Sequence, residues 1–263
     1  MTSSTSGPRD GEAIRPRTGF WFGFIAAIVK PFMVVFTKRD WRGIENLRGP
    51  GGIILATNHV SHFDPLALGH FLYDNGRVPR YLAKASLFKI PVFGRIITNA
   101  GQIPVLRGTT DAAHAYGAAV DAVNRGECVV FYPEGTITKD PDRWPMTGKT
   151  GAARIALQTG RPVIPVAQWG PNEVYPPYSH KIRLLPRKTM RMSAGKPVDL
   201  SAFEGHPLTN DLLHKATTVI MNAIATELGA LRGAAPPAEL YDPRTARRAE
   251  PEPTDEGSEG EAL

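Results

Sequence analysis

Short apolar runs alternate with helical patterns along most of this chain, and that alternation constrains its fold more than any other feature of the sequence. The apolar runs predict buried strands at residues 52–57, 103–106, 128–132 and 163–167. Helical patterns occupy the intervals and the end of the chain, at residues 65–73, 110–124, 151–159 and 210–232. The alternation predicts an α/β domain with a single, mostly parallel sheet flanked by helices. Residues 181–185 and 190–193 are candidates for a hairpin or edge strands.

The composition divides the chain into four parts. Residues 1–18 are rich in Ser, Gly, Pro and Arg and predict a disordered arm. Residues 19–40 form an apolar, membrane-associating helical segment, and residues 41–232 form the α/β domain. Residues 233–263 predict a flexible tail that is first Pro-rich and then acidic.

Residues 19–36, GFWFGFIAAIVKPFMVVF, form the most apolar run of the sequence. A membrane-spanning helix needs about 20 apolar residues, and Lys30 and Pro31 interrupt this run. The run therefore predicts an anchor in a membrane interface, with aromatic side chains at the boundary and cations on lipid phosphates. The side chains that suit this role are Trp21, Lys38, Arg39, Trp41 and Arg42. The alternative is an N-terminal helix packed on the core.

The chain is basic, with a formal net charge of +6, although its last fourteen residues hold six acids and neither Lys nor Arg. Residues 1–249 therefore carry 31 bases against 19 acids. Such an excess favours polyanionic partners: phosphate-bearing metabolites, anionic lipid headgroups or nucleic acid. A nucleic-acid partner has no support beyond charge, because no basic stripe interleaved with aromatic residues is present in the sequence.

The single cysteine, Cys128, cannot form an intramolecular disulfide. It lies in the apolar run 128–131, which predicts a buried thiol. This cysteine usage indicates a reducing compartment.

The densest cluster of reactive side chains is NHVSHFD at residues 58–64, between a predicted strand and a helix that begins near a proline. Ligands of α/β sheets bind at such strand ends. If Asp64 opens the helix, its carboxylate can accept a hydrogen bond from one imidazole nitrogen of His59. The other nitrogen can then remove a proton from a hydroxyl, which is general-base chemistry. Asn58 and Ser61 are supporting residues of this cluster.

The same His-x4-Asp spacing occurs at a second place in the sequence, where it does not indicate a catalytic pair. His206 and Asp211 share it, but they precede the final helix, where an acidic residue is typical of a helix start. A metal site is an alternative for the first cluster, with His59, His62 and Asp64 as ligands. No further Cys or His cluster in the sequence completes a metal shell, and His62 is interpreted as an exposed loop residue.

A second constellation, YPEGT at residues 132–136, again follows a buried strand directly. Its glycine, hydroxyl and backbone amides can hold a phosphate or a hydroxyl-rich headgroup, and Glu134 can accept from a substrate hydroxyl. A plain turn is the alternative. Three cations near element ends, Lys84, Arg107 and Lys149, would form a phosphate clamp if they met at one sheet edge.

Other enzyme classes lack their sequence signals. No G-x-S-x-G elbow, P-loop motif or dinucleotide fingerprint is present in the sequence. These absences disfavour serine hydrolases, P-loop nucleotide hydrolases and nicotinamide-dependent oxidoreductases.

In order, NHVSHFD, GQIPVLR at residues 101–107, YPEGT and RPVIPVA at residues 161–167 resemble the four motifs of the glycerolipid acyltransferases, and most closely the bacterial 1-acylglycerol-3-phosphate acyltransferases. The resemblance implies that residues 41–232 form an acyltransferase catalytic domain. It also implies transfer of an acyl chain from acyl-CoA or acyl-carrier protein to a glycerol hydroxyl of lysophosphatidic acid, forming phosphatidic acid. No cofactor or metal is implied.

The resemblance assigns roles residue by residue. His59 is the general base and Asp64 orients it. Lys84, Arg107, Glu134, Gly135 and Thr136 bind the acceptor and its phosphate, with Lys149 in a supporting role, and Pro165 shapes the acyl-donor side of the pocket. Backbone amides beside the first motif are expected to stabilise the tetrahedral oxyanion.

Two departures leave the acceptor open. The third motif usually continues with Arg-Ser, whereas Ile137 and Thr138 stand here, and the second motif has Pro104 and its neighbours where aromatic and acidic residues are common. Glycerol 3-phosphate, a glycolipid or an amino-lipid are alternative acceptors, and a lipid-binding protein without turnover is the alternative to an enzyme. We expect a peripheral or monotopic protein on the cytoplasmic face of the cell membrane, with an anionic membrane surface as a partner.

Overall fold

The computed structural model describes residues 19–105, 111–179 and 181–245 of the chain. The predicted disordered arm, Arg107 and the acidic end of the tail lie outside these ranges. Within them, one seven-stranded sheet is flanked by helices on both faces, so the predicted α/β fold with a single sheet is confirmed.

The strands of this sheet are β1 (Thr37–Arg42), β2 (Ile53–Thr57), β3 (Pro79–Lys84), β4 (Ile103–Val105), β5 (Cys128–Phe131), β6 (Val163–Trp169) and β7 (Lys188–Ala194). The helices are α1 (Phe20–Phe36), α2 (Asp64–Asp74), α3 (Ala85–Phe88), α4 (Phe93–Asn99), α5 (Asp111–Asn124), α6 (Gly151–Thr159), α7 (Pro171–Val174) and α8 (Asn210–Arg232). Two short 3₁₀ turns span Ile44–Leu47 and Ser201–Phe203.

The strand order is β1-β7-β6-β2-β5-β3-β4. Adjacent strands are parallel except for the β6 and β7 pair, so the sheet is mixed. Because β6, β2, β5 and β3 are consecutive parallel neighbours, their carboxyl ends lie along one edge of the sheet. The loops that leave this edge carry the candidate site residues.

The central strands are buried on both faces, as expected for parallel strands covered by helices. In β2, Ile54 and Ala56 pack with α5, α6 and α8, whereas Ile53 and Leu55 pack with α1 and α2. This alternation follows from the two-residue period of a strand. Cys128 is buried as predicted, and burial raises the pKa of its thiol to about 12.

The N-terminal apolar segment differs from its predicted limits. It forms one helix, α1, that continues through Pro31, and residues 37–42 form the edge strand β1 rather than part of the helix. The α/β domain therefore begins at Thr37 rather than at residue 41. In the described part of the chain, no helix is both long enough and apolar enough to cross a membrane.

α1 packs on the domain along one side only. Phe22, Ala26 and Met33 are buried, and the ring of Phe32 lies 6.5 Å from the ring of Phe63 in the first motif. Lys30 forms an ion pair with Asp74 at the end of α2, with the two charged atoms 2.7 Å apart. The other side of α1 exposes large apolar side chains: Phe20, Trp21, Phe24, Ile28, Val34 and Val35.

Part of the predicted flexible tail contacts the domain, although its composition indicates a free segment. After Gly233 ends α8 in the left-handed conformation, the chain returns to the domain, and the carbonyl of Tyr241 accepts the N–H of Thr147 at 3.0 Å. Leu240 packs against the core. One backbone hydrogen bond and one apolar contact thus hold residues whose surrounding Pro-rich composition indicates a free tail.

Candidate active site

The first motif brings His59 and Asp64 into contact. Nδ1 of His59 lies 2.7 Å from Oδ2 of Asp64, which is the contact that the sequence predicts. Asp64 is fully buried, whereas the side chain of His59 retains 17% of its exposure. We call this pair the His59–Asp64 dyad.

Local structure explains this placement. β2 ends at Thr57, and α2 begins at Asp64 with Pro65 in its first turn, so six residues form the connection. Oδ2 of Asp64 accepts the N–H groups of Val60 at 2.7 Å and Ser61 at 2.9 Å, which folds the connection around the carboxylate. The carboxylate therefore holds both the imidazole and the loop that carries it.

The electrostatics of Asp64 combine opposing effects. Burial raises the pKa of the Asp64 carboxyl, and the hydrogen bonds and charge attraction from His59 oppose that rise, as do the N–H groups of Ser61 and Val60. An ionised carboxylate accepts hydrogen bonds only, which assigns the proton of His59 to Nδ1. Nε2 of His59 is then the basic nitrogen, and it has no hydrogen-bond partner among the described residues.

The third motif supports this histidine from the neighbouring strand β5. Oε1 of Glu134 accepts the N–H of His59 at 2.9 Å, and Oε2 accepts the N–H of Met146 at 3.1 Å. Glu134 is only 6% exposed, and burial raises its pKa to about 8. Both oxygens accept backbone N–H groups, so Glu134 positions the backbone of His59, and its expected contact with the acceptor stays a prediction.

Tyr132, immediately before that turn, is a site residue that the sequence did not single out. Its ring lies 4.4 Å from the imidazole of His59 at an interplanar angle of 33°, which fixes one face of the imidazole. The ring of Tyr132 also stacks on Tyr81 of β3, with centroids 6.5 Å apart. The sequence signal for this role is the position of Tyr132 directly before Pro133 and Glu134 of the third motif.

Asn58 joins the ends of two strands. Its Oδ1 accepts the N–H of Gln168 at 2.8 Å, and its Nδ2 donates to the carbonyl of Gln168 at 3.0 Å. Nε2 of Gln168 donates in turn to the carbonyl of Asn58. These buried bonds fix β2 against β6 at the level of the site, and nothing in the local sequence pattern identifies Gln168 as the partner.

Ser61 has a similar supporting role. Its hydroxyl donates to the carbonyl of Tyr175 at 2.6 Å and accepts the N–H of Phe63 at 3.0 Å. His62, next to it, is exposed, and its ring lies 5.8 Å from the ring of Tyr175. In residues 19–105, 111–179 and 181–245, no group of three His, Cys, Asp or Glu side chains is arranged to hold a metal ion.

The loop amides are mostly occupied, which corrects one expectation. The N–H groups of residues 59, 60, 61, 63 and 64 all donate within the motif or to Glu134. Of the N–H groups of residues 59–64, that of His62 alone has no acceptor in the described part of the chain. The first motif therefore offers one backbone donor to an oxyanion instead of the expected set.

The third motif turns at Gly135, whose φ of +71° favours glycine. Lys149 lies over this turn: its Nζ is 2.9 Å from the point where a Cβ at residue 135 would lie, and its N–H donates to the carbonyl of Pro133. Thr136 is exposed beside it. The turn thus combines a hydroxyl, close backbone approach and a cation, as an anion site requires.

The residues after this turn point into the protein. Ile137 is buried, and the buried hydroxyl of Thr138 donates to the carbonyl of Trp144 at 2.7 Å. The N–H of Thr138 donates to the carbonyl of His59 at 2.8 Å. Residue 137 therefore contributes to the core here rather than to the surface of the site.

The remaining predicted residues lie at different distances from the dyad along the sheet. Lys84 ends β3 and is exposed at the same edge as His59, two strands away. Pro165 is buried inside β6 in register with Ala56, and its contact with an acyl donor stays a prediction. Arg107 lies outside the described residues.

The arrangement is suited to one kind of chemistry. A carboxylate-oriented imidazole whose second nitrogen has no partner among the described residues can remove a proton from a hydroxyl, and nearby cations can attract an anionic substrate. The fold and the site together define an α/β protein with a carboxylate-oriented histidine at the carboxyl edge of its sheet. The model of the Acyltransferase family matches residues 38–169, half of the chain, and the chain belongs to this family.

Individual relatives agree with that membership. The chain is 31% identical over 165 residues to the chloroplastic 1-acyl-sn-glycerol-3-phosphate acyltransferase BAT2 of Brassica napus, covering 62% of this chain and 46% of that protein. It is 31% identical over 134 residues to the 1-acyl-sn-glycerol-3-phosphate acyltransferase of Borreliella burgdorferi, covering 51% of this chain and 52% of that protein. The chain spans about half the length of these curated relatives.

A solved structure shares the fold. The crystal structure of the 1-acyl-sn-glycerophosphate acyltransferase PlsC from Thermotoga maritima is similar with a TM-score of 0.62 and 23% sequence identity. The similarity covers 84% of this chain and 81% of that chain. At this identity the comparison establishes the fold.

Proposed function

We propose that the protein is an O-acyltransferase that transfers a fatty acyl chain from acyl-CoA or acyl-carrier protein to the hydroxyl of 1-acylglycerol 3-phosphate, forming phosphatidic acid. The observation that carries the proposal is the His59–Asp64 dyad at the carboxyl edge of the sheet, with Nε2 of His59 unpartnered among the described residues. Membership of the Acyltransferase family and the names of two relatives support the reaction class.

In the proposed mechanism, Nε2 of His59 accepts the proton as the acceptor oxygen attacks the thioester carbonyl. Asp64 stabilises the imidazolium that results, since its buried carboxylate lies 2.7 Å from Nδ1. The tetrahedral intermediate then expels the thiolate, and the imidazolium proton neutralises that sulfur. The N–H of His62 is the candidate backbone donor for the oxyanion.

The acceptor headgroup is assigned to the turn at Gly135. Lys149 lies over this turn, and Thr136 offers a hydroxyl beside it. We place the phosphate of the acceptor on these groups, with Lys84 as a second cation at the same sheet edge and Arg107 as a third by sequence resemblance. Lys149 supplies a positive charge that residue 137 does not supply here, because Ile137 is buried.

The burial of Ile137 leaves this position without a cation, which is also compatible with a second class of acceptor. Without a cation at residue 137, glycerol 3-phosphate, a glycolipid or an amino-lipid is the alternative acceptor. Incubation with an acyl-CoA and each acceptor in turn, followed by mass spectrometry of the lipid product, distinguishes them. Phosphatidic acid as the dominant product supports the proposal, and an acylated product from another acceptor in its place contradicts it.

We further propose a peripheral location at an anionic membrane surface on the cytoplasmic face. The exposed apolar side of α1, with Phe24 and Ile28 at its centre, supports this location, as does the basic charge of residues 1–249. An enzyme at that surface can take an acceptor that is poorly soluble in water directly from the bilayer.

A further inference from the structure

A second exposed apolar surface lies in the turn between α3 and α4. We call residues 87–93 the apolar turn. Its side chains of Leu87, Ile90, Val92 and Phe93 are 38%, 46%, 69% and 46% exposed, respectively. Soluble proteins rarely cluster so many exposed apolar side chains in one short segment unless a partner or a membrane covers them.

The apolar turn borders the candidate active site. α3 begins directly after Lys84, at the carboxyl end of β3, and β3 is separated from β2 only by β5. The turn therefore leaves the same sheet edge as the His59–Asp64 dyad. An acceptor that enters this edge from a bilayer passes next to the turn.

The turn also neighbours α1. α4 contacts α1 in the folded protein. Ala100, which directly follows α4, packs with Phe22 and Ala26 of α1 in one apolar cluster. The exposed apolar side chains of α1 and those of the turn thus belong to two elements that pack against each other.

Basic side chains flank the apolar turn. Lys84, Lys89 and Arg95 are all exposed, and no acidic residue occurs from residue 79 to residue 105. Apolar side chains between cations suit the boundary of an anionic bilayer, where the apolar groups enter the acyl region and the cations contact phosphates. Charge complementarity therefore favours an anionic lipid surface as the occupant.

The backbone keeps the most exposed of these side chains in place. Val92 has a φ of +64°, a conformation that is rare for a β-branched residue. Such strain persists where surrounding contacts impose it and is common at functional sites. Here the N–H groups of Gly94 and Ile96 donate to the carbonyls of Ile90 and Val92, which closes the turn on both sides of the strained residue.

We propose that the apolar turn inserts into the surface of an anionic bilayer beside the active site, as a second membrane contact in addition to α1. The inference rests on the proposed membrane location, and it adds that the two contacts act together. Ile90 and Phe93 enter the acyl boundary, while Lys89 and Arg95 contact lipid phosphates.

Vesicle binding tests this directly. The full chain, the double variant Ile90→Glu with Phe93→Glu, and the control Val219→Glu are sedimented with vesicles of equal parts phosphatidylglycerol and phosphatidylcholine. Val219 is 38% exposed, like Leu87, but it lies on α8, which packs on the other face of the sheet. We expect the double variant to bind roughly a hundredfold more weakly, because each of the two apolar side chains removed from the bilayer weakens binding by about tenfold. The control should bind like the unchanged protein.

A label gives an independent readout that does not depend on the stability of the double variant. Ile90→Cys carries an environment-sensitive fluorophore, and Cys128 does not compete for the label because it is buried. We expect a blue shift of emission on addition of anionic vesicles, and no shift for the same label at Val219→Cys.

The outcomes separate two failures. If the unchanged protein binds vesicles and the double variant binds equally well, or the label at residue 90 shows no shift, the apolar turn has no membrane role although the membrane location stands. If the unchanged protein binds no vesicles, the proposed membrane location fails and this inference fails with it. Neither result bears on the acyl-transfer reaction, which is measured in detergent.

Discussion

Oδ2 of Asp64 accepts three hydrogen bonds at once: from Nδ1 of His59, 2.7 Å away, and from two N–H groups of the loop between them. A single buried oxygen thereby fixes the orientation of the imidazole relative to its own backbone. Substitution of this one side chain therefore disturbs the candidate base without removing it.

Asp64→Asn should lower the turnover rate by roughly 10²–10⁴. The amide oxygen can replace Oδ2 as the acceptor of all three hydrogen bonds, but the neutral side chain no longer stabilises the imidazolium that forms when Nε2 of His59 takes up a proton. The matched control is Asp211→Asn, because Asp211 has the same spacing to His206 but forms an exposed ion pair with Lys215. Equal turnover of Asp64→Asn and the unchanged protein, measured as thiol release, would contradict the catalytic role assigned to the His59–Asp64 dyad.

Glu134→Ala should reduce both stability and turnover, because it leaves the N–H groups of His59 and Met146 buried without acceptors. Each orphaned donor costs about 1–3 kcal/mol in the free energy of unfolding. Glu134→Gln keeps an acceptor oxygen and should recover much of both losses. Chemical denaturation together with kcat and KM for the acceptor checks this. A change in KM alone would show that Glu134 binds the acceptor and does not position His59.

The raised pKa of Glu134 makes stability depend on pH. An unfolded glutamate releases its proton near its ordinary value of 4.5, whereas folded Glu134 keeps it until about 8. Stability from this group is therefore present below pH 4.5 and is lost as the pH rises through 8, with a slope of at most about 1.4 kcal/mol per pH unit. The free energy of unfolding, measured by denaturation from pH 5 to pH 8, should fall less steeply in Glu134→Gln than in the unchanged protein. Parallel slopes would contradict the assignment.

Lys149→Ala should raise KM for lysophosphatidic acid by about tenfold and leave kcat nearly unchanged, since a headgroup contact contributes to binding before and during the reaction. Lys196→Ala is the control, because Lys196 follows β7, which runs antiparallel to β6 and ends at the opposite edge of the sheet. With an acceptor that lacks phosphate, Lys149→Ala should behave like the unchanged protein. A loss that persists with that acceptor would assign Lys149 a structural role.

Where the sequence pattern is strongly periodic or apolar, it predicts the fold well. The buried strands β2, β5 and β6 and the helices α2, α6 and α8 begin and end within two residues of their predicted limits. β3, with the sequence PRYLAK, was missed because a proline and two cations interrupt its pattern. The candidate strand at residues 181–185 is a loop. β7 begins only at Lys188, because its extent is set by pairing with β1 and β6.

The sequence predicts only part of the candidate site. The contact between His59 and Asp64 follows from local spacing and the start of α2, so the sequence predicts it. The bonds from Glu134 to His59 and from Asn58 to Gln168 join residues that are 75 and 110 positions apart, and they depend on strand order. Local patterns do not report strand order, and this is why neither the bond between Glu134 and His59 nor the bond between Asn58 and Gln168 was predicted.

The most direct test of the central claim is thiol release from palmitoyl-CoA by detergent-solubilised protein, with and without lysophosphatidic acid, for the unchanged protein and His59→Ala. His206→Ala serves as the matched control. We expect release that requires the acceptor, a rate lowered by roughly 10²–10⁴ in His59→Ala, and no change in His206→Ala. Release that persists in His59→Ala at the original rate would contradict the claim that His59 is the base.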